Sequence, residues 1–172
     1  MFLCFNDPMS YHFPTTSNLC YLLKNGEVLL AMKKRGFGVG KWNGPGGKVG
    51  NEIKGESLDD AVRREVLEET GYQIEQLEPV GLIEFVWPEE KGWNQRCYIY
   101  ICREFSGNLA ESDECLPFWF KISEVPYSQM WDDDQYWLDG VLKGGKVNKR
   151  IFFDGNGKVE KTEEIVEEEI KK

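Results

Sequence analysis

Glu65, Glu68 and Glu69 stand at i, i+3 and i+4 in the stretch SLDDAVRREVLEET, behind the glycine-rich run GPGGKVG. A helix beginning near Ser57 turns by about 100° per residue. Leu58, Ala61, Val62 and Val66 then form one apolar stripe, with Glu65 and Glu69 inside it. A merely solvated acidic face would set its carboxylates opposite that stripe. Carboxylates turned toward the protein body need a partner, because an unpaired buried charge is costly. A hard divalent cation meets the need: Mg²⁺ takes carboxylate oxygens, keeps several waters and accepts its remaining ligands from substrate phosphates. The chemistry indicated is the handling of a phosphate-bearing substrate. A glycine carbonyl in Gly44–Gly47 offers one more oxygen ligand, although a tight turn would use the same glycines.

The elements that must hold these residues are legible on either side. Leu19–Leu23 and Val28–Met32 flank Asn25-Gly26, a dipeptide suited to a type I′ hairpin, so two antiparallel strands are expected. The second strand leads into Lys33, Lys34 and Arg35. A loop follows in which Gly36, Gly38 and Gly40 alternate with Phe37 and Val39, and such a loop can approach a ligand closely. After the glutamate helix, Gly71 suits the C′ position. Strands are expected at Val80–Val86 and Arg96–Cys102, with a further short one at Leu116–Phe120, put at an edge by Pro117. Ser123–Pro126 reads as a short helical turn. Asp132, Asp133 and Asp134 suit the cap of a helix from about Gln135 to Leu142, stopped by Gly144-Gly145. Arg150–Phe153, a turn at Asp154–Gly157 and a charged strand or helix close the chain. Strands and helices alternate too irregularly for a doubly wound sheet, so the expected class is α+β, a mixed sheet sandwiched between helices.

A chain of 172 residues, 41% hydrophobic and 13% aromatic, supports one domain over 1–172, with residues 1–16 as an irregular extension whose aromatics cover a sheet edge or apolar patch. A formal charge of −9 argues against a nucleic acid polymer as partner, since polymers need clustered basic residues. The five cysteines are odd in number and lack zinc-type spacing, which suits reduced, core-filling thiols in the cytoplasm. No stretch approaches a membrane span and the start, MFLCFNDPMSYHF, lacks a basic segment followed by an apolar run, so neither a membrane partner nor secretion is expected.

Gly50, Glu56, Arg64, Glu65, Val66, Glu68, Glu69 and Gly71 reproduce the pattern Gx5Ex7REUxEExGU, departing only at Tyr72, where an aliphatic residue is usual. In this the chain resembles the Nudix hydrolase family. Counted from Gly47, the usual opening glycine, the loop carries three extra residues. MKKRGFGVGKWNGPGGKV, ESDECLPFWF and MWDDDQYW extend the likeness, over roughly residues 19–153, to the branch that hydrolyses oxidised purine nucleoside triphosphates such as 8-oxo-dGTP and 2-hydroxy-dATP. The resemblance implies a Nudix-type α/β/α sandwich, Mg²⁺ or Mn²⁺ as cofactor, a nucleoside triphosphate as substrate, a monomer, and a role in nucleotide-pool sanitation. It implies that Glu65, Glu68 and Glu69 bind metal, with Glu114 as a further acid and Gly46 giving its carbonyl, and that Arg64 holds the carboxylates in place. It further implies a base pocket of Asn43, Trp131, Asp133 and Asp134, apolar pocket positions at Phe37 and Phe85, and Lys33 beside the phosphates. Pro45, Trp93, the loop insertion and the longer amino terminus are departures that bear on pocket shape.

Residue types alone leave duller roles open. Trp131 also suits the core, Asp133 and Asp134 a helix cap, Glu114 a solvated turn and Asn43 a turn. Within the family the same box also serves ADP-ribose, dinucleoside polyphosphates or unmodified triphosphates. Outside it stand a nucleotide-binding module without catalysis, against which the full set of expected acidic ligands speaks, and a plain scaffold, which would leave Glu65 and Glu69 on the apolar stripe without a purpose.

Overall fold

The computed structural model describes residues 11–50 and 53–166. The first ten residues, with Cys4, and Asn51 and Glu52 of the loop insertion lie outside them. One mixed sheet of eight strands forms the centre. In chain order the strands are β1 (Thr15–Lys24), β2 (Glu27–Lys33), β3 (Trp42–Asn43), β4 (Tyr72–Val86), β5 (Gln95–Gly107), β6 (Cys115–Lys121), β7 (Val147–Phe153) and β8 (Val159–Glu164). Helix α1 (Leu58–Thr70) lies between β3 and β4 in sequence, and α2 (Leu138–Leu142) between β6 and β7. The sheet order is β3-β2-β1-β5-β4-β7-β8, with β6 on β2. The β1–β5 and β4–β7 pairs are parallel and the others antiparallel. Among the described residues β6 pairs with β2 alone, the edge position expected of Pro117.

Period-two alternation sends neighbouring side chains to opposite faces. Cys20 and Leu22 of β1 join Leu29, Tyr100 and Cys102 under Val62 and Val66 of α1. Tyr21, between them in sequence, joins Ile83, Ile99 and Ile151 under Leu138, Val141 and Leu142 of α2. The sheet is therefore a layer between helices, the α+β sandwich expected. Cys20, Cys97, Cys102 and Cys115 are free and buried, as small apolar residues would be.

Helix α1 has the expected ends. The Ser57 hydroxyl accepts from the Asp60 N–H at 3.2 Å, a cap worth about 1 kcal/mol, and Gly71 closes the helix at φ 78° with its N–H donating to the Leu67 carbonyl. The hairpin turn also holds, with positive φ at both Asn25 and Gly26.

Three expectations are corrected in detail. Strand β1 starts at Thr15, so the irregular segment ends earlier than residue 16, and its aromatics meet charge as well as carbon: the Tyr11 and Phe13 rings each lie 5.2 Å from a guanidinium, of Arg150 and Arg96. Strands β4 and β5 run well beyond the apolar stretches, because the polar ends Tyr72–Glu78 and Arg103–Gly107 still pair across register shifts. The expected Gln135–Leu142 helix is a 3-10 turn at Asp134–Tyr136 followed by the short α2, broken at Trp137, whose φ is −144°. The Trp137 indole is drawn in to donate to Asp133 at 2.9 Å, and Asp133 provides no cap bond.

Between β1 and β2 the sheet opens. The two strands pair only near their turn, at Leu22–Lys24 with Glu27–Leu29. Farther out, residues 42–49 thread between them. The β3 residue Asn43 pairs with Ala31 on one side, while Asn18 and Cys20 of β1 donate to the Gly47 and Pro45 carbonyls on the other. The cleft lies at this split.

Candidate active site

One cleft is lined by Lys33, Phe37, Asn43, Gly46, Glu69, Phe85, Trp131, Asp133 and Asp134 from among the predicted positions. Glu65, Glu68, Arg64 and Glu114 do not line it. At the α1 end, the glycine run brings backbone against carboxylates. The Gly46 N–H donates to Glu69 at 3.0 Å, and a β-carbon on Gly47 would collide with the Glu65 carboxylate. Glu69 is buried on the apolar side of α1, as its place in the stripe predicts. Burial pushes its carboxyl up to about 7, against the pull of hydrogen bonds from the Gly46 N–H and the Cys115 thiol.

Arg64 gathers the other acids of the helix. It reaches both oxygens of Glu56, at 2.7 and 3.0 Å, and also Glu65 at 2.9 Å and Glu68 at 3.2 Å. The Arg64 hydrogen bond holds the Glu56 carboxyl below its ordinary value, and a backbone bond from Gly50 acts the same way. Glu114 pairs with Arg35 of the glycine loop, which lowers the Glu114 carboxyl likewise. Among the described residues, no three His, Cys, Asp or Glu side chains stand together as a ready-made cation cage. The donors that do meet suit a hard divalent cation. Glu65 and Glu69 bring carboxylate oxygens against the Gly46-Gly47 backbone, and the desolvated Glu69 accepts from neutral donors, the Gly46 N–H and the Cys115 thiol.

The other end of the cleft is aromatic and acidic. Asp133 and Asp134 are 3% and 2% exposed, which removes both from the solvated-cap role. Asp133 accepts from the Trp137 indole N–H, and Asp134 from the Trp131 backbone N–H at 3.1 Å. Desolvation raises both carboxyls above the usual aspartate range, and the Asp133 charge raises Asp134 further. Asn43 accepts through its carboxamide oxygen from the Tyr21 hydroxyl at 3.2 Å and the Gly44 N–H at 2.8 Å. Its amide nitrogen is thereby left as the group it can offer a ligand. Trp131 is half-buried rather than sealed in the core. Phe37 stacks on it at 5.0 Å and the Lys41 ammonium sits 5.0 Å from its ring centre.

Residues 14–141 match the NUDIX domain family, three-quarters of the chain with the glutamate helix inside. The chain belongs to the Nudix family. It is 43% identical over 140 residues to the oxidized purine nucleoside triphosphate hydrolase of Danio rerio, covering 80% of this chain and 86% of that protein. To the protein of the same name from Mus musculus it is 39% identical over 137 residues, covering 78% and 84%. Among solved structures, the MutT protein of Bacillus halodurans superposes with a TM-score of 0.75 at 25% identity, over 87% of this chain and 96% of that one. The mixed-sheet sandwich is thus a Nudix fold.

Sequence reasoning missed several cleft residues of this Nudix chain: Asn18, Lys41, Trp87, Gln95, Cys97, Cys115 and Phe153. For Asn18 a signal exists, a carboxamide between Ser17 and Leu19 in a strand otherwise bound for the core. It is 1% exposed, and its Oδ1 has no hydrogen-bond partner. Lys41 follows the glycine loop and Trp87 the end of β4, while Gln95, Cys97, Cys115 and Phe153 look like ordinary strand residues whose place in the cleft no local pattern announces. Glu84 was also unremarked. It is buried between Arg96 and Arg150, each at 2.8 Å, outside the cleft.

Proposed function

We propose that this Nudix protein hydrolyses oxidised purine nucleoside triphosphates, of the 8-oxo-dGTP and 2-hydroxy-dATP type, to the monophosphate and pyrophosphate. The observation that carries the reading is a single cleft with the Glu69 carboxylate and glycine backbone at one end and, at the other, a half-buried tryptophan beside two buried aspartates. The named relatives supply the substrate class.

Glu65 and Glu69, with the Gly46 carbonyl and with Glu68 and Glu114 as further ligands, are the residues that would hold Mg²⁺ or Mn²⁺. When bound, such a cation neutralises phosphate oxygens and lowers the pKa of attacking water. Arg64 aims the Glu65 and Glu68 carboxylates through its hydrogen bonds, and Lys33, in the cleft wall and near enough to lower Glu69, adds positive charge for the phosphates. The attacking water approaches the α- or β-phosphorus in line with the oxygen that bridges them, the bond to that oxygen breaks, and pyrophosphate and the monophosphate separate, so the chain's contribution is placement and charge.

At the base end Trp131 gives a stacking surface, worth about 1–3 kcal/mol per base. Asp133 and Asp134 read the purine edge and Asn43 donates to it, with Phe37 and Phe85 as apolar walls. Two desolvated neighbouring carboxylates do not both ionise readily, so one keeps its proton and donates where the other accepts. Oxidised purines differ in which edge atoms donate and accept, and a pair sharing a proton can meet more than one pattern.

The test is a comparison of kcat/KM in Mg²⁺ across 8-oxo-dGTP, 2-hydroxy-dATP, dGTP, dATP, ADP-ribose and a dinucleoside polyphosphate, with products identified. The expected result is a preference of at least about tenfold for an oxidised purine triphosphate over its parent, with pyrophosphate released. That factor corresponds to one charge-assisted hydrogen bond. Preference for ADP-ribose or a dinucleoside polyphosphate would overturn the substrate assignment, and Mg²⁺-dependent binding without pyrophosphate release would overturn catalysis.

A further inference from the structure

Phe37, at the tip of the glycine loop, is 54% exposed, yet its ring is held from two directions. It stacks on Trp131 at 5.0 Å and 28°, and meets Trp93 edge-to-face at 4.9 Å and 64°. Trp93 belongs to a separate segment, the connection between β4 and β5. Its ring meets Trp87 at 5.1 Å and 79°, and Trp87 meets Trp131 at 6.3 Å and 84°. The four rings close on themselves. Phe37, Trp87 and Trp131 line the cleft, and Trp93 stands behind them.

The loop that carries Phe37 is closed by backbone bonds from the Val39, Gly40 and Lys41 N–H groups to the Gly36, Lys33 and Gly38 carbonyls, with Gly36, Gly38 and Gly40 at positive φ, so its backbone is set while the half-exposed Phe37 ring is placed by the rings it meets. Gly38 also runs so close to Trp131 that a β-carbon there would lie 3.0 Å from Cζ2. The segment carrying Trp93 is anchored as well. The Asn94 carboxamide accepts from the Trp87 N–H at 2.8 Å and donates to the His12 carbonyl at 3.2 Å, and the Lys91 ammonium lies 5.3 Å from the Trp93 ring centre. The Trp93 ring thus backs a Phe37 side chain that is half open to solvent.

We propose that Trp93 is a positioning residue for base recognition: by pinning Phe37 against Trp131 it fixes the aromatic wall of the cleft and so favours a bicyclic base over a monocyclic one. The inference rests on the reading that the base binds at Trp131. Trp93 does not touch the base, and its effect passes through Phe37.

The test is a double-mutant cycle on Trp93→Ala and Phe37→Ala, measured with whichever nucleotide the parent turns over best. Trp93→Ala is expected to raise KM by about three- to tenfold, the scale of one aromatic pair, with kcat within about twofold. Inhibition by inorganic pyrophosphate, which needs no base contact, keeps its parental constant. Trp93→Phe restores most of the KM, the purine-over-pyrimidine preference narrows in Trp93→Ala, and the double variant is no worse than the poorer single. An unchanged KM in Trp93→Ala, or KM increases that multiply in the double variant, would overturn the proposal. A lowered Tm with pyrophosphate binding weakened equally would assign Trp93 to structure alone and overturn it too. If the parent prefers another class of nucleotide, the substrate reading has failed, while the cycle on that nucleotide still decides the coupling between Trp93 and Phe37.

Discussion

The acids gathered by Arg64 beside the cleft and the aspartates at its far end manage charge in opposite ways. Along α1, Arg64 answers Glu56, Glu65 and Glu68 together and keeps the first of them below its ordinary carboxyl value. At the far end, Asp133 and Asp134 are buried against neutral donors, an indole and a backbone N–H, and both rise. The arrangement around Arg64 preserves negative charge, whereas burial suppresses part of it at Asp133 and Asp134 and also at Glu69, whose carboxyl rises to about 7. Preserved charge suits a site that must hold a cation against a polyphosphate. A suppressed charge leaves a carboxyl able to donate, which suits reading the edge of a base.

The largest expected effect breaks the charged end. Glu69→Gln keeps the shape and removes the charge, and should lower kcat by at least about a hundredfold for every nucleotide, the scale of a lost electrostatic or proton-transfer group. Circular dichroism and Tm should stay near the parent's, and activity within a few-fold of the parent in saturating Mg²⁺ would sink the assignment. Next comes the base end. Asp133→Asn and Asp134→Asn should lower kcat/KM for 8-oxo-dGTP and 2-hydroxy-dATP by unequal factors, about ten- to hundredfold, with Mg²⁺ dependence unchanged. Equal factors for both lesions would remove the shared-proton account.

The smallest effect sharpens the contrast through pH. A raised carboxyl makes the folded state bind more protons than the unfolded one, so its contribution to stability is fully present below the unfolded value of about 3.9 and fades as pH climbs through the raised value. Asp134→Asn should therefore raise Tm at pH 7, by about 2–4 °C for each kcal/mol recovered, and the gain should vanish toward pH 4. Glu56, lowered by Arg64, has the opposite sign, with its contribution present above the unfolded value and lost in acid. Glu56→Gln should lower Tm at pH 7 and converge with the parent in acid. Parallel Tm curves for either variant against the parent would show that charge management is not what separates the two ends.

Local rules made much of this legible. The hairpin at Asn25-Gly26, the ends of α1 at Ser57 and Gly71, and the edge strand at Pro117 each follow from residues within a few positions of one another. Glu69 was legible because a carboxylate on an apolar stripe violates the pattern that builds the helix. The break at Trp137 was not, because it accompanies a bond from the Trp137 indole to the buried Asp133 carboxylate, and residue types alone do not say that these two side chains turn inward together. The pairing of Glu114 with Arg35 joins residues far apart in sequence, and spacing is silent on such contacts. The cleft itself arises where residues 42–49 enter between β1 and β2, so strand residues such as Cys97 and Gln95 become walls without any change in their own pattern.

The division of labour between the two ends is tested most directly by one ratio, kcat/KM for 8-oxo-dGTP over dGTP, measured in the parent, in Glu69→Gln and in Asp134→Asn. The account predicts that Glu69→Gln depresses both rates and leaves the ratio within about twofold, whereas Asp134→Asn shifts the ratio by about tenfold, the scale of one charge-assisted hydrogen bond. A ratio that moves with Glu69 and stays fixed with Asp134 would contradict it.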